Sequence, residues 1–224
     1  MSNELKVLLN KIETQAEKLD MPIDTDIYNS CGKNPNKPIL YAGSLEADTG
    51  FLARDLGKSE VIKGEPLIGS GGNLLRKTIY SYHTGKEAPK NEVYFKDIMK
   101  DVLFTNLVPY KPIGNKVFSK KIRRQFAPYI AELLINHWKG KFLITLGTEA
   151  FKWFENFCDK KEIEVFWKDE EKRYTETFQC KIFILDNDKS QSKDINIAPL
   201  PHPSPLNVKW YKRFPELLKN RLNQ

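Results

Sequence analysis

The sequence predicts an α/β protein: three layers, α/β/α, around a central, mostly parallel sheet of four strands. Two observations carry that prediction. Short apolar runs alternate with stretches of helical periodicity, the pattern of strands joined by crossover helices. The chain has 224 residues, of which 40% are hydrophobic, enough to bury one large core, and no internal repeat divides it. A single domain over 1–224 is therefore expected, with an N-terminal helix and loop at 1–38 and the core at 39–224.

The elements follow in order. Leu5, Leu8, Leu9, Ile12, Ala16 and Leu19 recur at helical spacing behind Ser2, a candidate cap. "DTDIYNSCGKNPNKP" reads as loop, and "ILYAG" as a buried strand ending in glycine. A long polar stretch runs from there to "GSGG", followed by the helical "NLLRKTIYSYH". "DVLFTNLV" is a second strand. "SKKIRRQFAPYIAELLINHWK" is a long helix that Pro128 should kink or split. "KFLITLG" is a third strand, with the helix "TEAFKWFENF" after it. "EIEVFWK" and "YTETFQCKIFILD" flank the charged "DEEKR" and read as a hairpin. The polar run "DNDKSQSKD" reads as a loop tip, "DINIAPL" as a last strand, and "VKWYKRFPELLKNRL" as a closing helix broken near Pro215.

Charge and cysteine usage narrow the function. The formal net charge is +7 and the pI about 9.1, which favours a polyanionic partner, nucleic acid first. No apolar run approaches a membrane span, and "MSNELKVLLNKIE" is amphipathic rather than a signal peptide. Cys31, Cys158 and Cys180 form neither a disulfide framework nor a metal-ligand pattern, so a cytoplasmic setting without a metal is expected.

In a parallel sheet, the ligand crevice lies beyond the carboxyl ends of the strands. Three segments converge there: "GSLEADTG", "NLVPYKPIGNK" and "PLPHPSPLN". Prolines on both sides of His202 keep it out of a helix or a sheet interior, and a rigid loop presents a side chain rather than burying it. "GEPLIGSGGNLL" precedes a helix, so its backbone N–H groups could cradle an anion. It is neither a Walker A loop nor a dinucleotide fingerprint.

Four blocks in this order resemble the uracil-DNA glycosylase superfamily, nearest to its iron–sulfur branch. "ILYAG" resembles the first strand and its glycine, and "GEPLIGSGGNLL" the G-R-P-F-V-G-x-A-G-x-L-L block. "FTNLVPYKPIGNK" resembles T-N-V-V-K-C-R-P-P-G-N-R, and "PHPSPLN" the closing H-P-S loop. The departures are specific. Tyr110 and Phe126 stand where that branch has cluster cysteines, and only Cys31 lies near a ligand position, so the resemblance implies no cluster and no other cofactor. Leu67 replaces the aromatic that stacks on the base, the stretch from Gly43 to Gly64 is longer than the family's, and Ser44 replaces the carboxylate after the glycine.

The resemblance implies roles. His202 would donate to the leaving base, and Asn106 would pair with the base edge, in a pocket formed with Leu67, Gly43 and Ser44. Asp48 is the first choice for the carboxylate facing the sugar and Glu46 the second, with Asp55 further on. Ser70, Gly71, Gly72, Ser204, Asn207 and Lys209 would contact DNA, and Leu206 would wedge into the gap left by the extruded base. The implied partner is DNA, double- or single-stranded, with no membrane and no obligate protein partner. The implied reaction is hydrolysis of an N-glycosidic bond, on uracil or on a bulkier modified pyrimidine of phage DNA. The alternatives are a DNA-binding module of the same fold without catalysis, or a nucleotide enzyme using the glycine loop.

Overall fold

The computed structural model describes residues 2–90, 94–114, 116–186 and 189–224. In chain order its elements are α1 (Asn3–Lys18), α2 (Thr25–Ser30), β1 (Tyr41–Gly43), β2 (Thr49–Ala53), α3 (Lys58–Lys63), α4 (Ser70–Thr84), α5 (Tyr94–Ile98), β3 (Val102–Asn106) and α6 (Lys120–Glu132). A π-helical turn (Leu133–His137), β4 (Phe142–Leu146), α7 (Thr148–Lys152), a 3-10 turn (Trp153–Asn156), α8 (Lys160–Lys168), β5 (Phe178–Asp186), β6 (Lys189–Leu200), α9 (Val208–Tyr211) and α10 (Phe214–Leu222) complete it.

The three-layer α/β/α class holds, but the sheet has six strands among the described residues rather than four, in the order β1-β3-β2-β4-β6-β5. Its middle, β3-β2-β4-β6, is a parallel four-stranded unit, but with β2 where "ILYAG" was expected. An antiparallel strand closes each edge, β1 on β3 and β5 on β6. Successive side chains on a strand point to opposite faces, which sorts the core into two layers. Leu52, Leu103, Leu143 and Ile197 face α1, α6 and α8, whereas Phe51, Phe104, Ile144 and Ala198 face α4 and α10.

The largest correction concerns β2. Its segment, "TGFLA", lay inside the stretch expected to be polar loop, yet it pairs in parallel with both β3 and β4 at the centre of the sheet. Five residues between charged flanks give too short an apolar run to stand out, and pairing on both sides supplies what local sequence lacks. "ILYAG", expected as the first buried strand, is only a three-residue antiparallel edge.

Two further expectations change. "EIEVFWK" is helix α8 rather than half of a hairpin. Ile163, Phe166 and Trp167 lie at helical spacing on the core side, and the Asp159 carboxylate accepts from the N–H groups of Lys161 and Glu162. The hairpin is β5 with β6, and most of the polar run expected as a loop tip is the start of β6; Asn187 and Asp188 lie outside the described residues. Cys158 and Cys180, expected to be unpaired, form a disulfide that ties the segment before α8 to β5. Other expectations hold: Ser2 caps α1, and the closing helix divides before Pro215. Pro128 does not split its helix, which runs on to Glu132 before passing into the π-helical turn.

The central place of β2 is testable by stability. Phe51 is fully buried, so Phe51→Ala should lower the free energy of unfolding by about 3–5 kcal/mol. Val165 on the outer face of α8 is 71% exposed, and Val165→Ala should change it by less than about 0.5 kcal/mol. Urea unfolding of both variants measures the difference; equal, small effects would place "TGFLA" outside the core.

Candidate active site

The parallel strands end together. Ala53 of β2 pairs in register with Asn106 of β3, and Leu146 of β4 with Leu200 of β6. Beyond these ends lies an open pocket of about 490 Å3. Its walls are the loop after β2, with Arg54 and Asp55, the segment from Leu67 to Gly72, Asn106, and the loop carrying His202, Ser204 and Leu206.

Asn106 is 1% exposed, and its Oδ1 has no hydrogen-bond partner among the described residues. A buried amide oxygen left unmet calls for a donor from a ligand. Asp55 shares the feature. Its side chain is 4% exposed; Oδ2 accepts from Arg54 Nε at 2.8 Å, while Oδ1 has no partner among the described residues. Burial pushes its carboxyl up to about 6, against the opposing pull of the Arg54 and Arg123 guanidinium groups. His202 is exposed at the pocket mouth; partial desolvation by the surrounding atoms, with the nearby Arg54 charge, shifts its pKa below the usual value, which favours the neutral ring.

The loops are placed by backbone contacts. Glu60 on α3 accepts from the N–H groups of Gly57 at 3.0 Å, Ile68 at 3.2 Å and Gly69 at 2.9 Å, joining the loop after β2 to the start of α4. Leu67 sits at φ +54, a left-handed conformation unusual for a branched residue, and buried Arg76 holds it there. Arg76 donates to the carbonyls of Leu67 at 2.9 Å and Pro66 at 3.1 Å. Gly71 and Gly72 lie inside the first turn of α4 rather than before it. A Cβ on Gly71 would stand 2.7 Å from the Pro203 carbonyl oxygen, and one on Gly72 would overlap the Leu67 carbonyl. Gly147 at the end of β4 likewise leaves room for His202, whose Cβ would be 3.1 Å from a Cβ added there. β5 stops pairing at Ile197, so Pro199 extends β6 where it has a neighbour on one side only, as a proline requires.

Of the residues expected at the site, His202, Asn106, Leu67, Ser70, Gly71, Gly72, Ser204 and Leu206 line this one pocket. Leu206 is 93% exposed, an apolar side chain projecting from the rim. Asn207 donates from Nδ2 to the His202 carbonyl and so braces the loop. Lys209 lies over the Trp210 ring beside Glu170. Asp48, Glu46, Gly43 and Ser44 are not brought to the pocket. Asp48 precedes β2 and is exposed, and Glu46 is ion-paired with Lys139. Gly43 pairs with Leu103 near the start of β3, and the Ser44 N–H donates to Val102. All four lie toward the amino end of the parallel strands; Asp48 is five residues, roughly 16 Å along the strand, from Ala53. Their assignment followed from taking "ILYAG" as the strand that leads into the site. The sequence reading gave Glu60 and Arg76 no role. Glu60 had a readable signal, an acid three residues after a glycine that starts a helix.

The places that the iron–sulfur branch gives to cluster cysteines do not fit a cluster here. Tyr110 and Phe126 are buried and meet edge to face with ring centroids 6.0 Å apart, and Tyr110 Oη donates to the Asn36 carbonyl. A family model described as the uracil DNA glycosylase superfamily matches residues 41–224. Among curated proteins, none matches the chain.

The raised Asp55 pKa has a definite sign in stability. The folded state holds this proton more tightly than the unfolded chain, whose value is near 3.8, so the contribution is full below that pH and is lost as pH rises through about 6. Asp55→Asn should therefore be at least as stable as the parent at pH 7, with the difference shrinking towards pH 4. Thermal melts across that range test it; a variant much less stable at pH 7 would show that the ionised carboxylate holds the fold together.

Proposed function

The chain belongs to the uracil-DNA glycosylase superfamily, whose members hydrolyse N-glycosidic bonds, and from that premise we propose that it excises a pyrimidine base from DNA and leaves an abasic site. The observation that carries this reading is the pair of buried, unmet oxygens, Asn106 Oδ1 and Asp55 Oδ1, in one pocket with His202. A stacked base cannot reach such a pocket, so the nucleotide must swing out of the helix. Asn106 then accepts a base N–H at Oδ1 and offers its amide N–H groups to a neighbouring acceptor.

Bond cleavage builds positive charge on the sugar and negative charge on the base. Asp55, ionised above about 6, faces the first charge or orients the attacking water; it takes the role first sought in Asp48 and Glu46. Neutral His202 keeps an N–H to donate to the base carbonyl as charge gathers there. Arg54 bonds Asp55 and, second to desolvation, lowers the His202 pKa, so one cation bears on both groups. Leu206 fills the gap left by the base, and Ser70, Ser204 and the amide groups around Gly71 hold flanking phosphates.

The substrate is a pyrimidine bulkier than uracil, such as a glucosylated hydroxymethylcytosine of phage DNA. Two features support this: an aliphatic Leu67 at the wall where the family places an aromatic, and a pocket of about 490 Å3 open along one side. The setting would be antiviral defence in the cytoplasm, by a monomer that needs neither cofactor nor protein partner. Repair of uracil is the second reading, favoured by Asn106, whose unmet oxygen suits the N–H of an unsubstituted uracil ring equally well.

Activity on oligonucleotides carrying uracil, hydroxymethyluracil, hydroxymethylcytosine or its glucosylated form, with abasic sites scored by alkali, separates these readings. His202→Ala and Asp55→Asn should each cut the single-turnover rate by roughly 10²–10³ with DNA binding kept. Asp48→Asn and Glu46→Gln should leave it within about twofold of the parent, a surface-site effect. The rate should rise with pH through about 6 and lose that step in Asp55→Asn. A severe Asp48 variant beside a mild Asp55 variant would return the carboxylate role to Asp48.

Leu67 tests the substrate. Leu67→Phe should slow a bulky base and spare or improve uracil, because a ring fills space and stacking is worth about 1–3 kcal/mol per base. An unchanged ratio of single-turnover rates would mean that Leu67 does not face the base.

A further inference from the structure

A second cavity, of about 280 Å3, lies beyond Leu107, the residue that follows Asn106. Its walls come from α6, α7, the 3-10 turn and the start of α8. Two of its side chains hold buried donors with no partner among the described residues: Trp153 Nε1 and Arg123 Nε. Trp153 is 4% exposed, and Arg123 is held in place by its ion pair with Glu149. An indole and a guanidinium donate and cannot accept, so the group missing from both is an oxygen acceptor.

Charge identifies the acceptor further. Five cations and three carboxylates line the cavity. Lys120 pairs with Glu155, Arg123 with Glu149 and Lys160 with Glu164. Arg124 and Lys152 have no carboxylate partner among the described residues. A neutral carbonyl would leave the charge of both cations unanswered, whereas an oxyanion accepts hydrogen bonds and answers that charge as well. The volume falls just below the range of about 300–1,000 Å3 usual for whole small molecules.

We propose that this cavity binds a phosphate group. Its place favours a phosphodiester of the strand whose base enters the neighbouring pocket. Leu107 N–H donates to the carbonyls of Ala53 and Arg54 at the end of β2, and the charges of Arg123 and Glu149 reach Asp55. That source rests on the glycosylase reading; the phosphate chemistry does not, and a free phosphate would be held by the same groups.

The experiment has two arms, run on the full chain with Arg124→Glu/Lys152→Glu, with Trp153→Phe, which keeps a ring and removes the N–H, and with Lys219→Glu on α10 as a control. Thermal melts confirm that each variant is folded. In the first arm, anisotropy of labelled duplex and single-stranded oligonucleotides is measured against salt in a His202→Ala background, so that nothing turns over. The double variant should bind about tenfold or more weakly, with the slope of log K against log salt reduced by ~1–2, whichever base is present. Trp153→Phe should weaken binding with little change in slope, and Lys219→Glu should match the parent.

In the second arm, calorimetry follows inorganic phosphate and pyrophosphate. Saturable binding that both cavity variants abolish, with an unchanged DNA slope, supports the phosphate site and assigns it to a free ligand. Parent-like behaviour of both variants in both arms overturns the proposal. Failure of the glycosylase reading shows separately, as absence of abasic sites from the parent protein on every base tested.

Discussion

The parallel pairing of β2 between β3 and β4 is the constraint on which the site depends. Two ladders fix its register, Phe51 against Phe104 on one side and against Ile144 on the other. That register brings Ala53 level with Asn106, so the loop carrying Asp55 begins where the buried amide sits. It also divides the apolar side chains between two helical layers, because a slip of one residue would exchange the faces of Phe51 and Leu52. The candidate chemistry and the core therefore share one determinant.

The rim above the strands is held by contacts that concentrate cost at a few residues. Glu60 gathers three backbone N–H groups from two loops, and Arg76 caps two carbonyls beside a left-handed Leu67. Glycines at 71, 72 and 147 allow the three loops to approach closely. The Asp55 carboxyl is burdened by burial, and Asn106 keeps an oxygen without a partner. Such local costs, borne by a well-packed surrounding core, are what the proposed ligand site rests on.

The second basic cavity lies on the same rim, separated from the first by the start of the segment after β3. Leu107 and Asn106 are neighbours in sequence yet belong to different cavities, because the chain turns there from strand to loop. Lys116 lies beside the first cavity, and Arg124 and Lys152 line the second. At the amino end of the strands, Lys139 is instead absorbed by Glu46.

The sequence by itself determined the fold class, the helices with clear periodicity, and the loop that carries His202. Prolines around one histidine after an apolar run leave few local conformations, and α1 and α10 declare their buried faces by spacing alone. Asn106 was legible through the resemblance of "FTNLVPYKPIGNK" to the family's block, at the end of the buried strand β3. The tertiary structure alone decided which strand leads into the site. "TGFLA" is no more apolar than many loops; it becomes a central strand because β3 and β4 offer unpaired backbone on both sides. That pairing moved the candidate carboxylate from Asp48 to Asp55; elsewhere, packing against the core made "EIEVFWK" a helix and brought Cys158 to Cys180. Each of these outcomes rests on partners distant in sequence, and a pattern read along one chain records what a segment can bury, not which neighbour it will meet.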